Sequence, residues 1–203
     1  DQINYEAAQI AKKSIEKSTR EVFIAGSIGP TGEIIEPLGD LSKEKARDAF
    51  LKQSLALKAG GVDFLWIETM SSEEEMEAAL LAAQETSLPI ICSYSFDTHG
   101  RSMMGLEPAK LTDLTASFSS NVFGYGANCG IGASELIGSL ICFKSYKPDE
   151  EMILVAKANC GIPEFSGDKI IYNGTPEMMA QYARYAFDMG AKIIGGCCGT
   201  SHL

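Results

Sequence analysis

Short apolar runs alternate with longer amphipathic segments along this 203-residue chain. Six of the runs are rich in β-branched or aromatic residues, and each predicts a strand that is buried in a parallel sheet. They read VFIAGSI, VDFLWIE, PIICSYS, NVFGYGA, MILVAKA and AKIIGGC. Their spacing leaves room for one helix between successive strands, which is typical of βα units.

The segments between the runs carry signals that start and stop helices. Ser42 and Thr175 stand where a side-chain oxygen would cap a helix, and Ser72 with Glu75 three residues later predicts a capping box. Two glycines are expected to end helices in the left-handed conformation: Gly60 and Gly190.

This alternation, with no stretch made only of strands, predicts a parallel sheet covered by helices, as in a (β/α)8 barrel or an open doubly wound sheet. A barrel needs eight strands and about 250 residues, so six strands indicate an open sheet or a partial barrel. The chain begins inside a predicted helix and without Met. We therefore expect about two βα units to be missing at the amino end, and residues 1–203 to form one domain.

Composition narrows the class of protein. Hydrophobic residues make up 45% of the chain, and the net charge is −10, with no cluster of Lys and Arg. We therefore expect no nucleic-acid partner. No apolar run approaches the length of a membrane span, and the polar opening does not resemble a signal peptide, so we expect no membrane association and a cytoplasmic location.

The six cysteines do not predict a disulfide framework, because such frameworks belong to short secreted chains without a core. Cys129 follows one predicted strand, and Cys197 and Cys198 end another. Neighbouring glycines would let the backbone turn and present both adjacent sulfurs to one point. Three thiolates with a fourth position open are typical of a catalytic zinc site. Burial as small hydrophobic residues and a strained vicinal disulfide are the alternatives.

The remaining cysteines divide into two kinds. Cys160 also lies at a strand end, and a fourth thiolate from it would close the zinc shell into a structural site. Cys92 and Cys142 fall inside a strand and a helix, where burial in the core is expected.

Other polar residues follow the strands as well. Ser27 and Gly29 in GSIGP offer a hydroxyl and backbone donors, although a phosphate cradle would look similar. The amide of Asn128 could bind a sulfur or a substrate, or could form a turn. His99 is expected in a turn, and His202 is a weaker candidate ligand for a metal.

Six motifs spread over nearly the whole chain resemble those of a known family. They are GSIGPTGEIIEPLGDLS, IETMSSEEEMEAAL, SFDTHGRSMMG, GANCGIGASEL, ANCGIPEF and GGCCGT. On these motifs the chain resembles the zinc-dependent homocysteine S-methyltransferases. The motifs are similar to those of bacterial betaine-homocysteine methyltransferases and of the homocysteine-binding module of cobalamin-dependent methionine synthase. The resemblance implies a (β/α)8 barrel of which the first two units are absent here.

The resemblance also implies a zinc site and a reaction. Cys129, Cys197 and Cys198 would hold the zinc, and Glu68 would help to bind the amino group of homocysteine, although a carboxylate there could also cap the following loop. Zinc would convert the homocysteine thiol to a thiolate, which attacks a donor methyl group to give methionine. Alanine is usual in this family where Cys160 stands here, and no role is implied for this cysteine.

The resemblance favours betaine as the methyl donor and leaves a homo-oligomer open. Two rival functions follow from the residues alone. One is a phosphate-binding α/β enzyme in which the cysteines are incidental, and the other is a structural zinc scaffold with all four strand-end cysteines bound.

Overall fold

A computed structural model describes residues 1–97, 99–118, 120–146 and 151–201. Six parallel strands form one curled sheet, in which each strand lies beside the next strand of that sheet along the chain. Each predicted apolar run contains or overlaps one of them, so the predicted parallel sheet is confirmed. The strands are β1 (Ala25–Ile28), β2 (Phe64–Met70), β3 (Ile90–Tyr94), β4 (Val122–Cys129), β5 (Ile153–Ala158) and β8 (Ile193–Gly196).

Helices precede or connect the strands and pack against one face of the sheet. This outer face carries the larger core, because alternate strand residues such as Leu65, Ile67 and Tyr125 are buried beneath the helices. None of the described helices is long and apolar enough to cross a membrane. The helices are α1 (Gln2–Ile15), α2 (Lys43–Gly60), α3 (Glu73–Gln84), α4 (Pro108–Ser117), α5 (Ala133–Ser145) and α6 (Pro176–Asp188).

The other face of the sheet has a smaller core of its own. Trp66, Ile91 and Val155 are buried there, with partly buried apolar residues around them. Because strand side chains alternate between faces, the residues two positions further along β2 and β5 lie on this same inner face. They are Glu68 and Lys157, and both are charged.

The helix starts follow the predicted caps, with one difference. The hydroxyls of Ser42 and Ser72 accept hydrogen bonds from backbone N–H groups three residues later, as a cap requires. The carboxylate of Glu75 does not close a capping box, because it accepts hydrogen bonds from the backbone N–H and the hydroxyl of Thr31 at 2.7 and 2.6 Å. Glu75 is buried and instead fastens the loop after β1 to α3.

The predicted role of Gly60 as a left-handed helix end is wrong. Gly61 takes that conformation, with a φ of +90°, while Gly60 is the last residue of α2. Gly60 has another reason to be glycine, because an added Cβ would lie 2.8 Å from the carbonyl oxygen of Tyr5 in α1. Gly190 does have the expected positive φ, at +99°.

A β-hairpin between β5 and α6 was not predicted from the sequence. Its strands, β6 (Pro163–Ser166) and β7 (Lys169–Tyr172), pair antiparallel and separately from the main sheet. The expectation that no strand-only stretch interrupts the βα alternation is therefore wrong. Most side chains of the hairpin are exposed, so no buried apolar run marked it in the sequence.

Candidate functional site

Three thiols meet at the carboxyl ends of β4 and β8. The sulfurs of Cys129, Cys197 and Cys198 all lie within 4.8 Å of one another, and those of Cys129 and Cys198 are 4.0 Å apart. Zinc–sulfur bonds of about 2.3 Å in tetrahedral geometry would place two sulfurs about 3.8 Å apart. The spacing therefore fits three corners of a tetrahedral zinc site.

The local backbone explains how neighbouring cysteines face one point. Cys129 ends β4 with a φ of +61°, which turns its side chain away from the regular alternation of the strand. β8 ends at Gly196, and the chain then turns, with the N–H of Thr200 directed to the carbonyl of Cys197 and Gly199 at a φ of +75°. Of the glycines around the pair, Gly199 is the one with the left-handed conformation.

Asn128 links the thiols to the strands beside them. Its side-chain oxygen accepts hydrogen bonds from the backbone N–H of Thr69 and the hydroxyl of Ser93, at 2.8 and 2.6 Å. Its amide nitrogen donates to the Thr69 hydroxyl and lies 4.0 Å from the sulfur of Cys197. Asn128 is buried, so its amide is held at a fixed position beside the thiols.

Asn159 joins the two loops that carry the thiols, and sequence reasoning missed it. Its side-chain oxygen accepts a hydrogen bond from the backbone N–H of Cys198 at 2.9 Å. Its amide nitrogen donates to the carbonyl of Gly130, the residue after Cys129, at 2.5 Å. The repeated ANC motif was the available signal, because it places an asparagine at the end of both β4 and β5.

The charge of the thiols depends on their mutual contact. Hydrogen bonding to Cys129 lowers the pKa of Cys197 to about 5 despite burial, and the positive charge of Lys157 acts in the same direction. The same contact, burial and the neighbouring negative charge raise the pKa of Cys129. The cluster therefore gives up one proton readily and holds another, which a bound cation would replace.

Glu68 lies on the inner face of the sheet within an ionic network. Its carboxylate accepts a hydrogen bond from the hydroxyl of Ser27 at 2.6 Å and forms an ion pair with Lys157. The Lys157 ammonium also lies 4.9 Å from the centre of the Trp66 ring. Sequence reasoning missed Lys157, although a lysine inside the apolar run MILVAKA was a visible signal.

The remaining residues that the sequence suggested do not belong to the group of three thiols among the described residues. Gly29 follows β1, and a Cβ added there would lie more than 4 Å from any atom beyond its chain neighbours. Among the described residues, the candidate metal group has three members and does not include Cys160. Cys92 is buried and Cys142 half-buried in α5, and His99 lies in a turn. His202 lies outside the described residues.

Sequence comparisons give curated relatives that are much longer than this chain. The methionine synthase of Mycobacterium tuberculosis is 26% identical over 189 residues, which cover 90% of this chain and 15% of that protein. The methionine synthase of Mycobacterium leprae is 25% identical over 186 residues, covering 88% and 15%. The chain thus spans about 15% of the length of these relatives.

Structural comparison identifies the fold. The apo form of the homocysteine methyltransferase MmuM from Escherichia coli matches with a TM-score of 0.76 and 22% identity, covering 98% of this chain and 69% of that one. Its metallated form matches with a TM-score of 0.66 and 23% identity, covering 97% and 63%. These likenesses confirm the expected fold, a partial (β/α)8 barrel.

One family model accounts for almost every residue of the chain. The model of the homocysteine S-methyltransferases matches residues 1–202, which include all six strands of the described sheet and the three clustered thiols. This match agrees with the resemblance seen in the sequence motifs. The chain belongs to the homocysteine S-methyltransferase family.

Proposed function

We propose that this protein transfers a methyl group to the thiol of homocysteine to form methionine, and that zinc held by Cys129, Cys197 and Cys198 is its cofactor. The observation that carries the proposal is the meeting of three thiols from two distant strand ends, at a spacing suited to three corners of a tetrahedron. Family membership supports homocysteine as the thiol.

The chain's own side chains define what each part of the site does. The three cysteines supply anionic ligands, and Asn128 and Asn159 hold the sulfurs in place through contacts with Cys197 and Cys198. When bound, zinc supplies a Lewis acid that lowers the pKa of a thiol in its fourth position. Cys198 is exposed, so an incoming thiol has access to the cluster from solvent.

Glu68 is proposed to bind the ammonium group of homocysteine. Its carboxylate is mostly buried, with 15% of the side chain exposed, so a charged partner there is shielded from water. The Ser27 hydroxyl donates to one carboxylate oxygen and so fixes its orientation. Gly29 directly follows β1, the strand that carries Ser27, and its backbone is a further proposed contact with the substrate.

The proposed reaction is a methyl transfer in one displacement. The thiol first releases its proton to solvent, and the sulfur then forms a bond to the methyl carbon while the bond from that carbon to the donor breaks. The donor leaves with the bonding electron pair. Alignment of sulfur, methyl carbon and leaving group would supply much of the acceleration.

Betaine is the proposed donor, because the sequence motifs are similar to those of betaine-homocysteine methyltransferases. The cytoplasmic location and a homo-oligomer stay predictions. The rival structural zinc scaffold needs a fourth thiolate from Cys160, and the candidate ligand group of the described residues does not include this cysteine. This arrangement supports a zinc site with one exchangeable position.

The function is tested with zinc-loaded protein, homocysteine and one methyl donor at a time. Betaine, S-methylmethionine and methylcobalamin are the three donors, and methionine is measured by mass spectrometry. We expect methionine with betaine, loss of its formation in Cys197→Ser, and retention in Cys142→Ser, a matched change in α5. No methionine with any donor, together with X-ray absorption showing no added sulfur ligand on homocysteine binding, would refute the proposal.

A further inference from the structure

We propose that Lys157 binds the α-carboxylate of the substrate, so that Glu68 and Lys157 together recognise the zwitterionic head group of an amino acid. This inference rests on the proposed function, because it names how the thiol substrate is selected. The ion pair between the two side chains is the starting observation.

The pair lies on the inner face of the sheet, next to the strand ends that carry the thiols. Lys157 is paired in register with Asn128 on one side and with Gly195 on the other. Asn128 directly precedes Cys129, and Gly195 lies two residues before Cys197. A ligand that touches Lys157 is therefore close to the thiol cluster. Homocysteine places only two methylene groups between its sulfur and the carbon that carries its head group.

Neighbouring residues fix the position of the lysine. Gly195 lies beside it, and a Cβ added there would only reach ordinary van der Waals contact, 3.7 Å from the Cγ of Lys157. The Trp66 ring lies 4.9 Å from the ammonium and forms the apolar floor below it. The indole N–H of Trp66 donates to Ser93 at 3.1 Å, which holds the ring in place.

A largely buried ion pair needs a reason beyond stability. The Lys157 and Glu68 side chains are 21% and 15% exposed, and desolvation of such a pair offsets much of its attraction. Replacing such a pair with apolar residues of similar volume is often neutral or stabilising in proteins. Retaining two opposite charges beside a reactive cluster is understandable if both charges meet ligand groups of opposite sign.

The charges of the pair favour a ligand that carries both signs. A ligand with only an ammonium group would be attracted to Glu68 and repelled by Lys157. A ligand with only a carboxylate would be attracted to Lys157 and repelled by Glu68. An α-amino acid offers its ammonium to Glu68 and its carboxylate to Lys157, so the four charges alternate in sign. A neutral pair thus selects a neutral zwitterion over a thiol with a single charge.

The test compares three thiols that differ only in the head group. They are homocysteine, 3-mercaptopropylamine, which lacks the carboxylate, and 4-mercaptobutyrate, which lacks the amine. Binding of each to zinc-loaded protein is measured by isothermal titration calorimetry for the unaltered protein, Lys157→Met and Glu68→Gln. Lys192→Met is the matched control, because it removes an exposed lysine at the amino end of β8.

We expect a crossed pattern of losses. Lys157→Met should lower the affinity for homocysteine by roughly 10- to 100-fold, as expected for the loss of one charge-assisted hydrogen bond. The affinity for 3-mercaptopropylamine, which has no carboxylate, should not fall. Glu68→Gln should weaken the binding of homocysteine and of 3-mercaptopropylamine, and it should not weaken the binding of 4-mercaptobutyrate. Lys157→Arg should keep homocysteine binding within a few-fold, and Lys192→Met should change nothing.

Two negative outcomes have different meanings. If homocysteine binds the unaltered protein and Lys157→Met weakens all three thiols equally, or none of them, the lysine does not bind the carboxylate. If homocysteine does not bind the unaltered zinc-loaded protein, the proposed function fails together with this inference. Zinc content and the thermal transition show whether each variant is folded. If Lys157→Met does not fold, Lys157→Gln takes its place as a second variant without the positive charge.

Discussion

The side-chain oxygen of Asn159 accepts a hydrogen bond from the backbone N–H of Cys198 at 2.9 Å, while its amide nitrogen donates to the carbonyl of Gly130. Asn159 thereby connects the loop after β4 to the loop after β8, and these two loops carry the three thiols. The residue is buried, so water cannot easily replace either bond. The spacing of the thiols thus depends on a side chain that contributes no ligand atom.

Replacing Asn159 with alanine should weaken zinc binding without removing a ligand. Residues that orient metal ligands typically contribute about 10- to 100-fold to affinity, and we expect a loss in this range. Competition with a chromophoric chelator measures it. Asn121→Ala is the matched control, because Asn121 lies at the amino end of β4, the end opposite to Cys129. Equal affinities for the two variants would contradict this role of Asn159.

Metal content should separate the clustered cysteines from Cys160. We expect about one zinc per chain in the unaltered protein and in Cys160→Ser, and strongly reduced zinc in Cys129→Ser, Cys197→Ser and Cys198→Ser. The reason is that, in the part of the chain that the structure describes, these three sulfurs form the group with the mutual spacing of ligands. Elemental analysis after dialysis measures the content. Loss of zinc in Cys160→Ser would instead favour a closed site of four thiolates.

Much of this arrangement could be predicted from the sequence, because parallel strands bring their carboxyl ends to one edge of a sheet. Apolar runs located the six strands, and strand ends then brought Cys129 close to Cys197 and Cys198. The partnership of Lys157 with Glu68 could not be predicted in this way. It joins β2 to β5 across two intervening strands, and it depends on sheet curvature that no local pattern encodes.

Two other features were not predicted from the sequence, for different reasons. The repeated ANC motif directed attention to the thiol of Cys160, whereas the structure gives the connecting role to Asn159. The hairpin of β6 and β7 buries little, so hydrophobic periodicity gave no sign of it. Only its two-residue Gly-Asp turn, with Gly167 at a φ of +62°, was a usable signal.

The contact between Glu75 and Thr31 should appear as a coupling energy in protein stability. Glu75→Ala and Thr31→Val each remove part of one hydrogen-bonded pair, so their effects on the free energy of unfolding should be non-additive by about 1 kcal/mol or more. Urea denaturation of the single and double variants measures this.

The cap at Ser72 provides the comparison for that cycle. Ser72→Ala should cost about 1 kcal/mol as the loss of a helix cap. Its effect should add to that of Glu75→Ala within about 0.5 kcal/mol, because the Glu75 side chain does not bond back to Ser72. Strong coupling of Ser72 with Glu75, and none of Glu75 with Thr31, would mean that the capping box forms in solution after all.

Two glycine-to-alanine changes should have opposite effects on stability. Gly126 lies in β4, and an added Cβ would come within 2.7 Å of the carbonyl carbon of Val155 in β5. The two strands are hydrogen-bonded there, so neither can move aside, and we expect Gly126→Ala to cost about 3 kcal/mol or more. Gly138 is exposed within α5 with open space around it, so Gly138→Ala should stabilise by about 0.5 to 1 kcal/mol. Urea denaturation gives both values, and a mild effect at Gly126 would show that β4 and β5 are less tightly paired than described. Because Asn128 and Lys157 are the next inward-facing partners on these strands, Gly126→Ala should also reduce zinc affinity, whereas Gly138→Ala should not.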